Sequence, residues 1–149
     1  MESDGSLRVR LEVPNIAELS KTYRRAYLHC PEYAVPDSEV EDYLENLIGE
    51  GKALIARRGN SVAGFVIIRE FDSRSGEISE LVSLGGTGRR LLRTVLHSFT
   101  QRGCTEVTLE VARGNEKARR LYESEGFEAV DQEGIWTVMA FRGEKTPVF

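Results

Sequence analysis

The run Val62-Ala63-Gly64-Phe65-Val66-Ile67-Ile68 contains no polar side chain. Gly59-Asn60 lies just before it, a turn dipeptide that joins it to a second strand-like segment, Ala53 to Arg57. A strand that is apolar on both faces must be covered on both, so this run predicts a central strand with helices above and below it. The first of the pair extends over Ala53 to Arg57 and the second over Val62 to Phe71.

The segments on either side supply those layers. Leu7, Val9, Leu11 and Val13 alternate with charged residues, the period of a half-buried strand. Asn15, with Glu18 three residues on, caps a helix that buries Ile16, Leu19, Tyr23 and Ala26. Cys30 to Asp37 holds two prolines and reads as a loop. Ser38 and Glu41 form a capping box for a helix with Val40, Tyr43, Leu44, Leu47 and Ile48 on one stripe. After the central pair come a strand at Glu77 to Leu84, a glycine cluster, and a helix burying Leu91, Leu92, Val95, Leu96 and Phe99. A strand at Thr105 to Ala112 follows, then a short helix capped by Asn115 that buries Ala118, Leu121 and Tyr122. Two strands, near Phe127–Val130 and Ile135–Phe141, end the chain. Tight turns make neighbours antiparallel, while helical connections allow parallel pairing. The fold class predicted is α/β: a mixed, largely antiparallel sheet of about seven strands flanked by about four helices, in one domain over residues 1–149.

Charge enters where it narrows the partners. Of a net −4, Thr87 to Arg120 holds eight basic against three acidic residues, a local +5. Pro31 to Glu50 holds seven acids and no base. An acidic chain with one basic third points to a local polyanion site rather than to nucleic-acid binding. Met1 to Ser6 is acidic and polar, unlike a signal peptide, and no apolar run suits a bilayer. Cys30 and Cys104 make neither a disulfide framework nor a metal pattern, so the expectation is a cytoplasmic protein with reduced thiols, no metal and no membrane partner.

Two segments carry the chemistry. In Leu84-Gly85-Gly86-Thr87-Gly88-Arg89-Arg90-Leu91, glycines let the backbone approach a ligand, and the first amides of the helix point outward as an anion site. Such turns are also plain connectors. A Walker loop is excluded because Gly-Lys-Ser/Thr is absent, and a dinucleotide fingerprint because Leu91 stands where Gly or Ala is needed. The second segment runs from Leu109 to Glu128. In it Asn115, Ala118, Leu121-Tyr122 and Gly126-Phe127 closely resemble, in type and spacing, the pattern of the GNAT superfamily of acetyl-CoA-dependent N-acetyltransferases.

The resemblance implies direct transfer of an acetyl group from acetyl-CoA to a primary amine, in a cleft between the fourth and fifth strands. Leu81, Val82 and Ser83 would lie at a bulge whose backbone groups orient the acetyl carbonyl and pantetheine. Gly85, Gly86, Thr87, Gly88, Arg89 and Arg90 would hold the pyrophosphate, and Asn115 would present its amide to the ligand. Tyr122 would protonate the departing thiolate. The family's usual Arg or Gln before the glycines is replaced by Ser83, and the turn is shorter; Arg89 and Arg90 are the candidates to supply the missing charge. A carboxylate is the usual base, and Glu80 is chosen over Glu77. Their odd spacing puts them on opposite faces of a regular strand unless a bulge intervenes. The acidic stretch around His29 to Asp37, which in this family governs the acceptor, favours a cationic amine on a small molecule, peptide or protein. A homodimer is left open. The alternative is a non-catalytic acyl-CoA-binding regulatory module, for which Ser83 and the shortened turn speak.

Overall fold

The computed structural model describes residues 6–72 and 74–142. Seven described strands form one sheet: β1 (Leu7–Leu11), β2 (Lys52–Arg58), β3 (Ser61–Glu70), β4 (Ser75–Ser83), β5 (Glu106–Ala112), β6 (Glu128–Glu133) and β7 (Trp136–Arg142). Their order across the sheet is β1-β2-β3-β4-β5-β7-β6. Only β4 and β5 pair in parallel, as expected for strands joined through a helix. Helices α1 (Ile16–Ala26) and α2 (Val40–Gly49) cover one face, and α3 (Gly88–Gln101) and α4 (Glu116–Ser124) the other.

The doubly apolar run lies where its composition requires. Along β2 and β3, Leu54, Ala56, Val66 and Ile68 point into the core under α3, where Leu91, Leu92, Val95 and Phe99 meet them. The alternate residues Ala53, Ile55, Phe65 and Ile67 point into the second core, against Leu19, Tyr23, Val40 and Leu44. Each such fully buried Leu, Ile or Phe contributes about 1.5–3 kcal/mol relative to exposure, so β3, buried on both faces, anchors both cores.

Three local expectations are corrected. The first strand ends at Leu11, and Val13 is 97% exposed, because the chain leaves the sheet edge at Glu12, whose carboxylate turns to Arg57. Ser38 caps nothing. It sits inside a 3₁₀ turn, Asp37–Glu39, tightened by Glu39 N–H donating to the Pro36 carbonyl at 2.8 Å, and α2 begins without a side-chain cap. The Cys30 to Asp37 loop contains a further 3₁₀ turn, Pro31–Tyr33. By contrast Asn15 and Asn115 both cap their helices, accepting from Glu18 N–H at 3.0 Å and Ala118 N–H at 3.3 Å.

Candidate active site

β4 is two strands in one. From Ser75 to Glu77 it is paired on both sides, with β3 and with β5. Beyond Glu77 the pairing with β5 stops while that with β3 continues to Ser83. The two parallel strands therefore part, leaving backbone groups on their facing edges free for a ligand. Into this parting opens a cavity of about 510 Å³.

A bulge sets what faces it. Ile67 of β3 opposes Glu80 and Ile68 opposes Ile78, so Ser79 is the extra residue. The bulge was expected at Leu81 to Ser83, which instead pair regularly with Val66, Phe65 and Gly64. An inserted residue reverses the alternation of side chains after it. Ile78 and Leu81 accordingly pack toward α3, whereas Val82 joins the core under α1 and α2. Glu80 takes that same side, as does Glu77 before the bulge, and both line the cavity. The odd spacing that separated them on a regular strand no longer does so.

Glu80 is half-buried and open only toward the cleft. Tyr27, the C-cap residue of α1, donates its hydroxyl to Oε2 at 2.8 Å, and Tyr43 of α2 donates to Oε1 at 2.5 Å. Burial raises the carboxyl above its ordinary range, and the two phenol hydrogen bonds oppose that rise. Burial first, then the Glu80 charge, pushes both phenols far up, so they stay neutral donors. Tyr23 is pushed to about 12, chiefly by burial, and its hydroxyl accepts from Val35 N–H at 3.1 Å. Glu77 is engaged otherwise, ion-paired to Arg69 at 3.2 Å and accepting from the Ser79 hydroxyl.

Tyr122 enters from the opposite wall. It is 8% exposed, packs on Phe127 and lines the cavity, with no hydrogen bond to its hydroxyl from the described residues. Burial, and then the charge on Glu80, raises its phenol well above the ordinary value, so it carries its proton at neutral pH. Asn115 lines the same wall; with Oδ1 engaged in capping, its Nδ2 remains to donate. Four carboxylates line the cavity, Glu32, Glu77, Glu80 and Glu110, and among the described residues no Lys, Arg or His does. Glu110 is raised by burial and by the charges of Glu133 and Glu77.

Of the residues singled out from sequence, the structure brings Glu80, Leu81, Asn115 and Tyr122 together around the cavity. Val82 is buried in the neighbouring core, and Ser83 to Arg90 lie beyond the cavity's end. In that turn Gly85 and Gly86 have φ of 57° and 80°, a region that disfavours side chains. Gly88 is a close-approach position, since a Cβ there would stand 3.2 Å from Leu121 and 3.3 Å from the Ser83 hydroxyl. Thr87 faces inward, its buried hydroxyl donating to the Ala63 carbonyl at 3.0 Å. The amides of Gly85, Gly86, Gly88, Arg89 and Arg90 meet no acceptor among the described residues, the arrangement an anion requires. Arg89 is turned away to Ser124 and Glu125, which Arg93 also grips at 2.8 Å. Among the described residues the Arg90 side chain makes only a 3.5 Å contact, with the Leu7 carbonyl.

Sequence reasoning missed Tyr27, and it placed Tyr43 on a buried stripe without a role. The signal was there in part, because Tyr23 and Tyr27 are one helical turn apart and must share a face.

A sheet parted between two parallel strands leaves a cavity with a carboxylate, Glu80, on one wall and a phenol, Tyr122, on the other. The sequence profile of the acetyltransferase (GNAT) family matches residues 16–127, and the chain belongs to that family and is an acyltransferase. No curated protein matches it. Among solved structures, a Pyrococcus horikoshii OT3 protein superposes with a TM-score of 0.81 at 24% identity, over 94% of this chain and 100% of that one. The PaiA N-acetyltransferase of Thermoplasma acidophilum, in complex with coenzyme A, gives 0.78 at 18% identity, over 92% and 99%. A GNAT family acetyltransferase from Elizabethkingia anophelis with acetyl-CoA bound gives 0.70 at 14%, over 93% and 99%. At these identities the likenesses speak for the fold.

Proposed function

We propose that the protein transfers an acetyl group from acetyl-CoA to a primary amine carried by a cationic acceptor, by direct attack within a ternary complex. The observation that carries this reading is the cavity between β4 and β5, where Glu80 and Tyr122 line one space whose ionisable side chains include carboxylates and phenols but no cation. Acetyl-CoA supplies the acyl group as a thioester. The unpaired amides of the glycine turn and the charge of Arg90 suit its phosphates, and Asn115 Nδ2 and the free edge of β4 suit the pantetheine arm.

Glu80 takes a proton from the acceptor ammonium, directly or through one water, because the ammonium form is no nucleophile. The amine nitrogen then bonds to the acyl carbon as the carbon–sulfur bond breaks. Tyr122 gives its proton to the leaving sulfur and regains one, through water, from the second proton that the nitrogen sheds as the amide forms. The phenol carries its proton at neutral pH. Glu32 and Glu110, which make no ion pair among the described residues, favour an acceptor with positive charge beyond the reacting amine.

The test is free-thiol release from acetyl-CoA across a panel of amines: a diamine, an aminoglycoside, a lysine peptide and an amine flanked by carboxylates. The reading expects turnover with cationic members and least with the last. Coenzyme A binding with no turnover on any amine would replace it with the regulatory-module reading.

A further inference from the structure

Glu80 is a half-buried carboxylate with no cation beside it among the described residues. The ionisable groups that line the cavity with it are Tyr23 from α1, Tyr27 from the C-cap of α1, Tyr43 from α2, Tyr122 from α4, Glu77 from β4 itself, Glu110 from β5, and Glu32 and Tyr33 from the 3₁₀ turn Pro31–Tyr33. None is positive. Ordinarily such a carboxyl is neutralised by taking up a proton, because burial without a counter-charge costs several kcal/mol. What this site offers instead is two neutral donors, one on each oxygen: Tyr27 on Oε2 at 2.8 Å and Tyr43 on Oε1 at 2.5 Å.

We propose that Tyr27 and Tyr43 are positioning residues for the acetyl transfer, holding Glu80 ionised and aimed into the cleft by one hydroxyl on each oxygen. This rests on the reading that Glu80 takes the acceptor's proton. An ionised carboxylate accepts both phenol bonds as strong, charge-assisted ones, whereas a protonated carboxyl accepts both more weakly, above all on the oxygen that carries the proton. The clamp therefore selects the ionised form against the pull of burial. It also leaves lone pairs on both oxygens for an amine or a water. The two hydroxyls come from different helices, braced by Tyr23, whose ring lies 4.6 Å from that of Tyr27 and 6.0 Å from that of Tyr43. The state of the base is thus tied to the seating of α1 and α2, the layer that walls the acceptor side.

The measurement is a pH titration of the Glu80 side-chain carboxyl carbon by NMR, in ¹³C-glutamate-labelled protein without ligand, assigned by its loss in Glu80→Gln. Tyr27→Phe and Tyr43→Phe each remove only a hydroxyl, so packing stays. Each raises the Glu80 midpoint, and the double variant raises it further. Tyr23→Phe, whose hydroxyl binds Val35 instead, leaves the midpoint in place. With the amine that thiol release finds fastest, kcat at pH 7 falls by about tenfold per hydroxyl, KM for acetyl-CoA holds, and activity returns as pH rises. Midpoints that stay put in both Tyr27→Phe and Tyr43→Phe, or move as far in Tyr23→Phe, overturn the clamp. A fully active Glu80→Gln variant overturns the underlying reading of Glu80 as base, whatever the midpoints do.

Discussion

The cleft, along Glu77 to Leu81 of β4, and the glycine turn that follows the strand handle charge in opposite ways. In the cleft, side chains carry the charge, and Glu77 alone of the lining carboxylates has a counter-ion among the described residues, Arg69: Glu80 is held by phenols, and Glu32 and Glu110 make no ion pair there. In the turn, the obvious side-chain charge is largely cancelled, since Arg89 and Arg93 both close on Glu125. What remains there is a row of unpaired backbone amides and Arg90. On the proposed reading, acidic side chains await a variable, mobile amine and backbone amides await the fixed geometry of a phosphate. Sequence charge counts see the first kind of site and overstate the second.

The bulge at Ser79 lets Glu77 and Glu80 share the cleft face across an odd spacing, so deleting Ser79 is the first way to test the comparison. The deletion leaves Glu77, Ile78 and Glu80 in plain alternation, so Glu80 keeps its face while the local bend and twist of the bulge are lost. The expected outcome is a variant that still folds, checked by denaturant unfolding, with reduced turnover in the thiol-release assay. Wild-type turnover would mean that the bulge serves only to match the spacing of the two carboxylates.

Tyr122→Phe comes next. It removes one hydroxyl from the cleft and none from the turn. Turnover should fall by roughly 10²–10⁴-fold, in kcat rather than KM, with coenzyme A affinity little changed. Wild-type turnover would reduce Tyr122 to packing.

How far the sequence reached follows the same division. Both strands of the central pair, all four helices and the two asparagine caps were legible because periodicity and capping are local. The bulge was not, because one extra residue in β4 shows only against its partner β3. Hence the dilemma over Glu77 and Glu80 could be posed from sequence but not resolved. Tyr27 and Tyr43 are 16 residues apart in the chain and meet only across Glu80, so nothing local announced the clamp. The pairing of Arg89 with Glu125 is equally non-local, which is why Arg89 and Arg90 looked equivalent.

Smaller effects sharpen the turn. Gly86→Val places a branched side chain at φ 80° where phosphates approach, and calorimetry should show coenzyme A binding weakened by about tenfold or more. Between the two arginines, Arg90→Ala should weaken binding several-fold at low salt, by roughly one lost phosphate contact, and Arg89→Ala less. Equal effects would mean that Arg89 leaves Glu125 when ligand arrives.

The pH dependence of kcat/KM, in the wild type and in Glu80→Gln, tests the central claim most directly. Glu80 works as a base only when ionised, and burial has moved its folded-state carboxyl upward. Activity is therefore low below that raised midpoint and climbs to a plateau above it. In Glu80→Gln, kcat/KM should fall by roughly 10²–10⁴-fold and that acidic limb should vanish. A Glu80→Gln enzyme with wild-type kcat/KM and an unchanged limb would contradict the account, and the amine would have to lose its proton elsewhere.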